Sequence, residues 1–315
     1  MSIYPYKYSI CIPTWNRVDY LKVTLDNIYQ QINNNINFQI VISDNNSTDG
    51  TNYLINDYFS KLKIKYIRRE RNIGGSPNIV STINNADGQY CIILGDDDVF
   101  RHGWLNSLDS FIDTYNPDVI SSDRIVCKVD LSPIFIEKCG PIVVQPTLYK
   151  CSERDVLINY LSQTYSTSGF GFLSNLIVKR SAWVNSIECP FINNHPFPHM
   201  IKIMDILGNN GGSILRVPLE TVYARSGNDR LEEIMLNNNP SEFEKMLVVH
   251  FEGFLSAAKF VFPDSKEKRF AMLNPIRKIF TSEYRLKFIN NATLFNLNSE
   301  AENFLNRLDI EIKGM

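Results

Sequence analysis

The chain has 315 residues, 44% of them hydrophobic and 21% charged, enough apolar content for one large or two modest globular cores. A formal net charge of −2 excludes bulk electrostatic attraction to nucleic acid or anionic lipid, so no nucleic-acid partner is expected. No apolar run approaches the roughly 20 residues of a membrane helix, and the opening "MSIYPYKYSICIPTWNR" has no basic region leading into an apolar core, so neither a membrane span nor a signal peptide is expected. The six cysteines (Cys11, Cys91, Cys127, Cys139, Cys151 and Cys189) form no CxxC pair and no zinc-type spacing with histidine. Reduced thiols and a cytoplasmic location are the expectation.

In chain order, "YSICIP" predicts a short buried strand, and "RVDYLKVTLDNIYQQI" carries apolar residues at helical spacing. "FQIVISD" is a second strand, followed by "STDGTNYLINDYFSKL", whose Ser/Thr/Asp opening suits a helix N-terminus. "IKYIRR" gives a third strand, "SPNIVSTINNA" a third helix and "YCIILG" a fourth strand. Strict alternation with unbroken apolar strands predicts an α/β fold, a mostly parallel Rossmann-like sheet flanked by helices. Further on, "DVISSDRIVCKV" and "PIFIEKC" read as a strand hairpin, "SERDVLINYLSQ" as a helix, and "GFLSNLIVKRSAW" as a strand running into a helix. "HMIKIMDILGNNGG" reads as a helix ended by glycine, and "GSILRVPLETVYARSG" as a final strand pair. From about Asn237 the pattern is helical throughout. The expected division is a main domain over 1–236, with halves 1–105 and 106–236, and a helical extension over 237–315, with "LNNNPSEFEK" the linker candidate.

Ligands of such sheets collect outside the carboxyl ends of the strands. Three polar clusters fall there: "PTWNR" after the first strand, "DNNSTDG" after the second and "GDDD" after the fourth. Three adjacent carboxylates, Asp96, Asp97 and Asp98, repel one another unless a cation neutralises them. Mn²⁺ or Mg²⁺ suits hard oxygen ligands, and Mg²⁺ commonly takes one or two carboxylates plus substrate phosphates. The pattern therefore points to a metal that bridges to a diphosphate.

"SICIPTWNR", "IVISDNNSTDGT", "RRERNIGG" and "YCIILGDDDVFRHGWL", in that order, resemble the nucleotide-sugar-binding half of family 2 glycosyltransferases with the GT-A fold. The resemblance is strong from Tyr8 to Leu105, weak to about Arg230 and absent beyond. It implies that Pro13, Thr14 and Asn16 flank the nucleotide, with Arg17 near the phosphates. Asp44 is implied to read the base, uracil being the usual one, while Asn72 and Gly74 close over base and ribose. Family members commonly read L-D-x-D-D where this chain has Leu94-Gly95-Asp96-Asp97-Asp98. In one register Asp97 is the main metal ligand and Asp96 faces the ribose; as a plain DxD, Asp96 and Asp98 share the metal.

The implied reaction moves one sugar from a nucleotide-diphosphate donor, UDP-linked by expectation, to a hydroxyl of a glycan or lipid-linked glycan acceptor with inversion. Bacterial O-antigen or capsule synthesis is the implied setting, and the processive signature Q-x-x-R-W is absent. A general base must take the acceptor proton. Family members carry Asp or Glu near the N-terminus of a helix past mid-chain, and the matching position in "INNHPFPHMIKIMDIL" holds His199. His199 is the candidate base, with Asp205 and His195 as fallbacks. Arg225 and Arg230 in "VYARSGNDRL" suit a loop that meets a diphosphate. "STSGFGFLSN" matches an acceptor-facing wall, and Trp183 reads as core. The cationic and aromatic residues of "KRFAMLNPIRKIFTSEYRLKF" fit either a helical cap or a surface resting on the inner face of a membrane. A non-catalytic nucleotide-sugar-binding protein and a nucleotidyltransferase are the rival readings, and oligomeric state is not legible.

Overall fold

The computed structural model describes residues 4–32, 37–164, 166, 168–226, 252–275 and 306. β1 (Tyr6–Thr14), α1 (Val18–Gln31), β2 (Phe38–Asp44), α2 (Thr51–Tyr58), β3 (Ile64–Arg68), α3 (Gly75–Asn84) and β4 (Gly88–Ile93) alternate as the apolar pattern requires. β1 lies between β2 and β4, parallel to both, with Ile10 level with Ile40 and Ile92. β3 adds to β2, also in parallel. Neighbouring positions serve opposite faces: Cys11, Val41 and Cys91 belong to one core, and Ile10, Ile12, Ile40 and Ile42 to the other. That is why these strands carry no polar alternation.

The second half completes the sheet with β5 (Val99–Phe100), β6 (Val119–Cys127), β7 (Pro133–Glu137), β8 (Thr147–Lys150), β9 (Leu176–Lys179) and β10 (Ser213–Arg225). The strand order is β3-β2-β1-β4-β9-β6-β10-β5, with β7 added to β6 and β8 to β10. β9 is antiparallel to both β4 and β6, so the parallel run stops there. The helices between are α4 (Trp104–Tyr115), α5 (Val156–Ser162), α6 (Ser168–Gly171), α7 (Arg180–Val184) and α8 (Pro198–Gly208).

The expected hairpin of β6 and β7 forms, with Arg124 level with Glu137. One expectation is corrected: "GSILRVPLETVYARSG" is a single strand, β10. Its pairing with β6 slips between Arg216 and Val222, around Pro218, which has no N–H to offer. Its first half takes β8 and its second half β5 as antiparallel partners. At two and four residues, β5 and β8 are too short to show a period.

The 236–237 boundary lies outside the described residues, as does "SEAENFLNRLDI" apart from Asn306. Helical residues 252–261 and the helix Lys266–Met272 are described. Phe254, Leu255, Ala258, Val261 and Phe262 are buried in the same core as α8. Gly208 is part of that fit, since a Cβ there would lie 2.2 Å from the Phe262 ring. In this stretch the apolar face is therefore a core face. No described helix is long and apolar enough to cross a membrane.

Candidate active site

The carboxyl ends of β1, β2 and β4 open into a cleft of about 590 Å³. The acid loop forms its floor. Asp98 N–H bonds back to Gly95 O at 3.3 Å, and Thr24 Oγ1 of α1 reaches the carbonyls of Asp96 (3.0 Å) and Asp98 (2.8 Å). The turn is so tight that a Cβ on Gly95 would lie 2.9 Å from Asp98 Oδ2 and 3.0 Å from Asp97 Oδ1. A side chain at position 95 would therefore displace the Asp97 and Asp98 carboxylates. Gly95→Ala should open the turn and lower transfer activity, while a thermal melt shows the fold retained.

The three aspartates occupy three environments. Asp96 is buried, accepting from Thr14 Oγ1 at 2.7 Å and Arg17 Nη1 at 3.3 Å. Asp97 is the more open, its side chain 15% exposed, and Arg17 Nη1 reaches its Oδ2 at 2.7 Å. Asp98 is buried with both oxygens engaged, Oδ2 by the Ser174 hydroxyl and Oδ1 by Arg225 N–H at 3.0 Å. Burial, then the charge of Asp97, pushes Asp96 up to about 6 and Asp98 up to about 7. Among the described residues no three His, Cys, Asp or Glu side chains converge as a full metal-binding set.

The other expected donor residues divide. Pro13, Thr14, Arg17, Asn72 and Gly74 line the cleft. Asn16 instead ties two loops together, its N–H donating to Ser47 Oγ and its Oδ1 accepting from Thr48 N–H at 2.8 Å. Asp44 is fully buried behind the wall, holding Ser47 N–H at 2.8 Å and the Tyr66 hydroxyl at 2.6 Å. Its neighbour Asn45 reaches the cleft, donating to Asn72 Oδ1 at 2.8 Å and Gly74 O at 3.1 Å. Gly74, at φ +92°, starts α3 in a conformation that favours glycine. Arg225 joins the acid loop through Nε to Asp97 O at 2.9 Å and lies over the Tyr20 ring. Arg230 lies outside the described residues.

A model of Glycosyl transferase family 2 matches residues 9–178, more than half of the chain. The chain belongs to this family. It is 32% identical over 231 residues to the abequosyltransferase RfbV of Salmonella typhimurium, covering 71% of this chain and 68% of that protein. The crystal structure of TarS 1–349 from S. aureus in complex with UDP-GlcNAc resembles it with a TM-score of 0.59 at 16% identity, over 95% of this chain and 80% of that one. The mannosyltransferase PcManGT from Pyrobaculum calidifontis, in complex with GDP-Man and Mn²⁺, gives a TM-score of 0.52 at 14% identity, over 98% of this chain and 88% of that one. These likenesses show the GT-A fold. The protein is a glycosyltransferase that draws on a nucleotide-sugar donor.

In this family 2 glycosyltransferase the residues expected to serve the acceptor depart most from expectation. Gly171, Phe172, Leu173 and Ser174 line the cleft, so the "STSGFGFLSN" stretch does form a wall. His199 lies behind that wall, 1% exposed on α8, with the Phe170 and Gly171 backbone beside its ring. Neither ring nitrogen has a hydrogen-bond partner among the described residues, and burial pushes its pKa down to about 4. A base must touch the proton it removes, and in this arrangement His199 does not reach the cleft. Asp205 braces the end of α8, accepting from Ile187 N–H and Asn209 Nδ2, each at 2.8 Å, and from Asn210 Nδ2 at 3.0 Å. His195 is held by Gly253 O at 2.8 Å and Phe197 N–H at 3.1 Å. Trp183 is core as expected, its indole N–H on Asn84 Oδ1.

Cleft residues not singled out from sequence include Trp15, Asn45 and Asn78. Trp15, 51% exposed on the rim, stood inside the quoted "PTWNR". Asn45 follows Asp44 directly. Buried Asn78 crosses from α3 to Ser43 O (2.9 Å), a role no local pattern signals.

The buried histidine has a pH signature. A folded pKa near 4, below the ordinary 6.5, means that the unfolded chain binds the proton more readily. Its contribution to stability is full above pH 6.5 and is lost as pH falls toward 4, on the order of 3 kcal/mol. Compared with wild type, His199→Leu should lose less stability between pH 7 and pH 4.5, read by urea unfolding at each pH. The same variant should keep transfer activity within about tenfold, whereas loss of a general base costs about 10²–10⁴-fold.

Proposed function

We propose that this enzyme transfers one sugar at a time from a UDP-sugar, with Mn²⁺ or Mg²⁺, to a hydroxyl of a glycan or lipid-linked glycan, with inversion, in bacterial surface-polysaccharide (O-antigen or capsule) synthesis. The observation that carries this reading is the acidic floor of the cleft. Two carboxylates there are pushed toward neutral pH, and Arg17 is the cation against Asp96 and Asp97. A divalent cation fits the residues present, because Asp97 is partly open and a diphosphate can supply the remaining oxygens. The metal's chemistry would be to stabilise charge on the departing diphosphate.

Within that reading the chain's own residues divide the work. Asp97 would hold the cation and Asp96 would face the ribose, whereas Asp98 fixes the loop, because Ser174 and Arg225 already occupy it. Arg17 shares its guanidinium between Asp96 and Asp97, within reach of phosphates bound above them. Trp15 offers a ring face on the rim beside Asn45 and Asn72. The Mn²⁺ and UDP-GlcNAc complexes of PcManGT and TarS support metal and donor class by likeness of fold, and the name of RfbV supports a single sugar as the group moved.

The test is a thermal-shift screen of UDP, GDP, CDP and dTDP, with and without Mn²⁺. Nucleotide at about 100 times its Kd adds about 2.7 kcal/mol of stability, so UDP with Mn²⁺ should raise the melting temperature clearly. Equal stabilisation without metal would overturn the metal assignment. A preference for another nucleotide would replace UDP.

A further inference from the structure

Away from the cleft, the β6–β7 hairpin breaks the usual chemistry of a surface. Ile134, Phe135 and Ile136, consecutive on β7, are 51%, 54% and 52% exposed. Successive side chains of a strand point to opposite faces, so both faces of β7 carry exposed apolar surface. Val129 before it and Ile142 and Val144 after it are exposed as well. Among the described residues β7 pairs with β6 alone, which leaves its second edge without a strand. An exposed apolar edge strand is a template for another strand.

We propose that β7 is the contact through which two copies of this chain associate, by an antiparallel β7–β7 pair about a twofold axis. Two observations favour a second copy over a lipid bilayer. Asp130, in the hairpin turn, is kept ionised by the hydroxyl and N–H of Ser132. A charge in the turn and an unpaired backbone edge both oppose entry into hydrocarbon.

Self-pairing, in contrast, is compatible in charge. With Phe135 on the axis, Ile134 faces Ile136 of the partner subunit, Glu137 faces Pro133 of the partner subunit and Lys138 faces Ser132 of the partner subunit. No like charges meet, and each rung near the axis is apolar. The two charges nearest the contact are already neutralised within one chain, Glu137 by Arg124 at 2.6 Å and Lys138 by Asp123 at 2.8 Å. The contact would also border the active site, because Val129 O accepts from Nη1 of the same Arg225 that meets Asp97.

Sedimentation equilibrium of the full chain tests this. Wild type is expected at twice the single-chain mass in the micromolar range. Phe135→Lys and Ile136→Lys, at exposed positions, should halve that mass with unchanged circular dichroism. Phe135→Cys should cross-link to itself under mild oxidation, because facing positions hold their Cβ atoms about 4.5–5.5 Å apart. A monomeric wild type, or a dimer that both lysine variants leave intact, would overturn the proposal. So would a monomeric wild type that floats with phosphatidylcholine–phosphatidylglycerol vesicles and loses that binding in Phe135→Lys, which would assign the patch to a bilayer.

Discussion

Asp97→Asn is expected to lower kcat/KM for sugar transfer by about 10²–10³-fold, the scale of losing one preorganised electrostatic contact to a charge that develops in the reaction. The effect should fall on Asp97 because the structure leaves it the most open of the three carboxylates. Metal-dependent stabilisation by nucleotide should vanish in the same variant. Its metal-free form should nevertheless melt at a higher temperature at pH 7.5. Asp97 is one of the charges that push Asp96 and Asp98 up, and a carboxyl with a raised folded pKa costs stability once pH rises past its ordinary range. Lower activity with higher stability separates this outcome from misfolding.

Asp98→Asn is the control. Its stability should change little, because the weaker acceptor left to Ser174 and Arg225 N–H, worth about 1–3 kcal/mol, is opposed by removal of a carboxyl whose burial disfavours its charge. Metal-dependent stabilisation by nucleotide should remain. If Asp98→Asn rather than Asp97→Asn abolishes the metal response, the division of roles within the loop is reversed.

The second large effect concerns stability alone. Arg216→Leu is expected to cost about 3 kcal/mol, the lower end of the range for breaking a buried ion pair by removing one partner, because Asp123 keeps Lys138 at 2.8 Å. Arg216 and Asp123 are each 1% exposed and in direct contact. Arg216 also donates to Pro141 O at 3.1 Å and Val217 O at 2.9 Å, while Asp123 accepts from Cys139 N–H at 3.0 Å. The pair therefore ties β10 and β6 to the strap at Cys139–Pro141. Gly140 belongs to the same packing, since a Cβ there would lie 2.8 Å from the Tyr160 hydroxyl and 2.9 Å from Arg216 Nε. The double variant Arg216→Leu with Asp123→Leu should recover much of the loss, because no unpaired buried charge remains. Urea unfolding of the two single variants and the double variant reads this as a coupling energy, and simple additivity would contradict it.

The first half of the fold was legible because its strands are buried on both faces and its helices show a period. "SICIP" and "QIVIS" admit little other than central parallel strands. Beyond Leu105 the elements shorten to pieces such as β5 and α6, of two and four residues, whose existence depends on the neighbours they pair or pack with. His199 shows the same limit at the site. Its helix was expected, but every residue from Pro198 to Leu207 is buried and none of them lines the cleft. The run "MIKIMDIL", apolar on most sides, carried that signal, since a helix apolar all round is a buried one.

The sequence by itself determined the α/β architecture, the glycosyltransferase family and the presence of an acidic loop at the end of β4, because hydrophobic period and local motif are properties of neighbouring residues. Only the tertiary structure decided which aspartate is open and which is a brace, that Asp44 lies behind Asn45, and that the expected base is buried. Those outcomes rest on contacts between residues far apart in the chain, such as Ser174 with Asp98 and Arg225 with Asp97. Burial set by such contacts fixes whether a carboxylate meets solvent, a hydroxyl or a metal, and no local pattern encodes it.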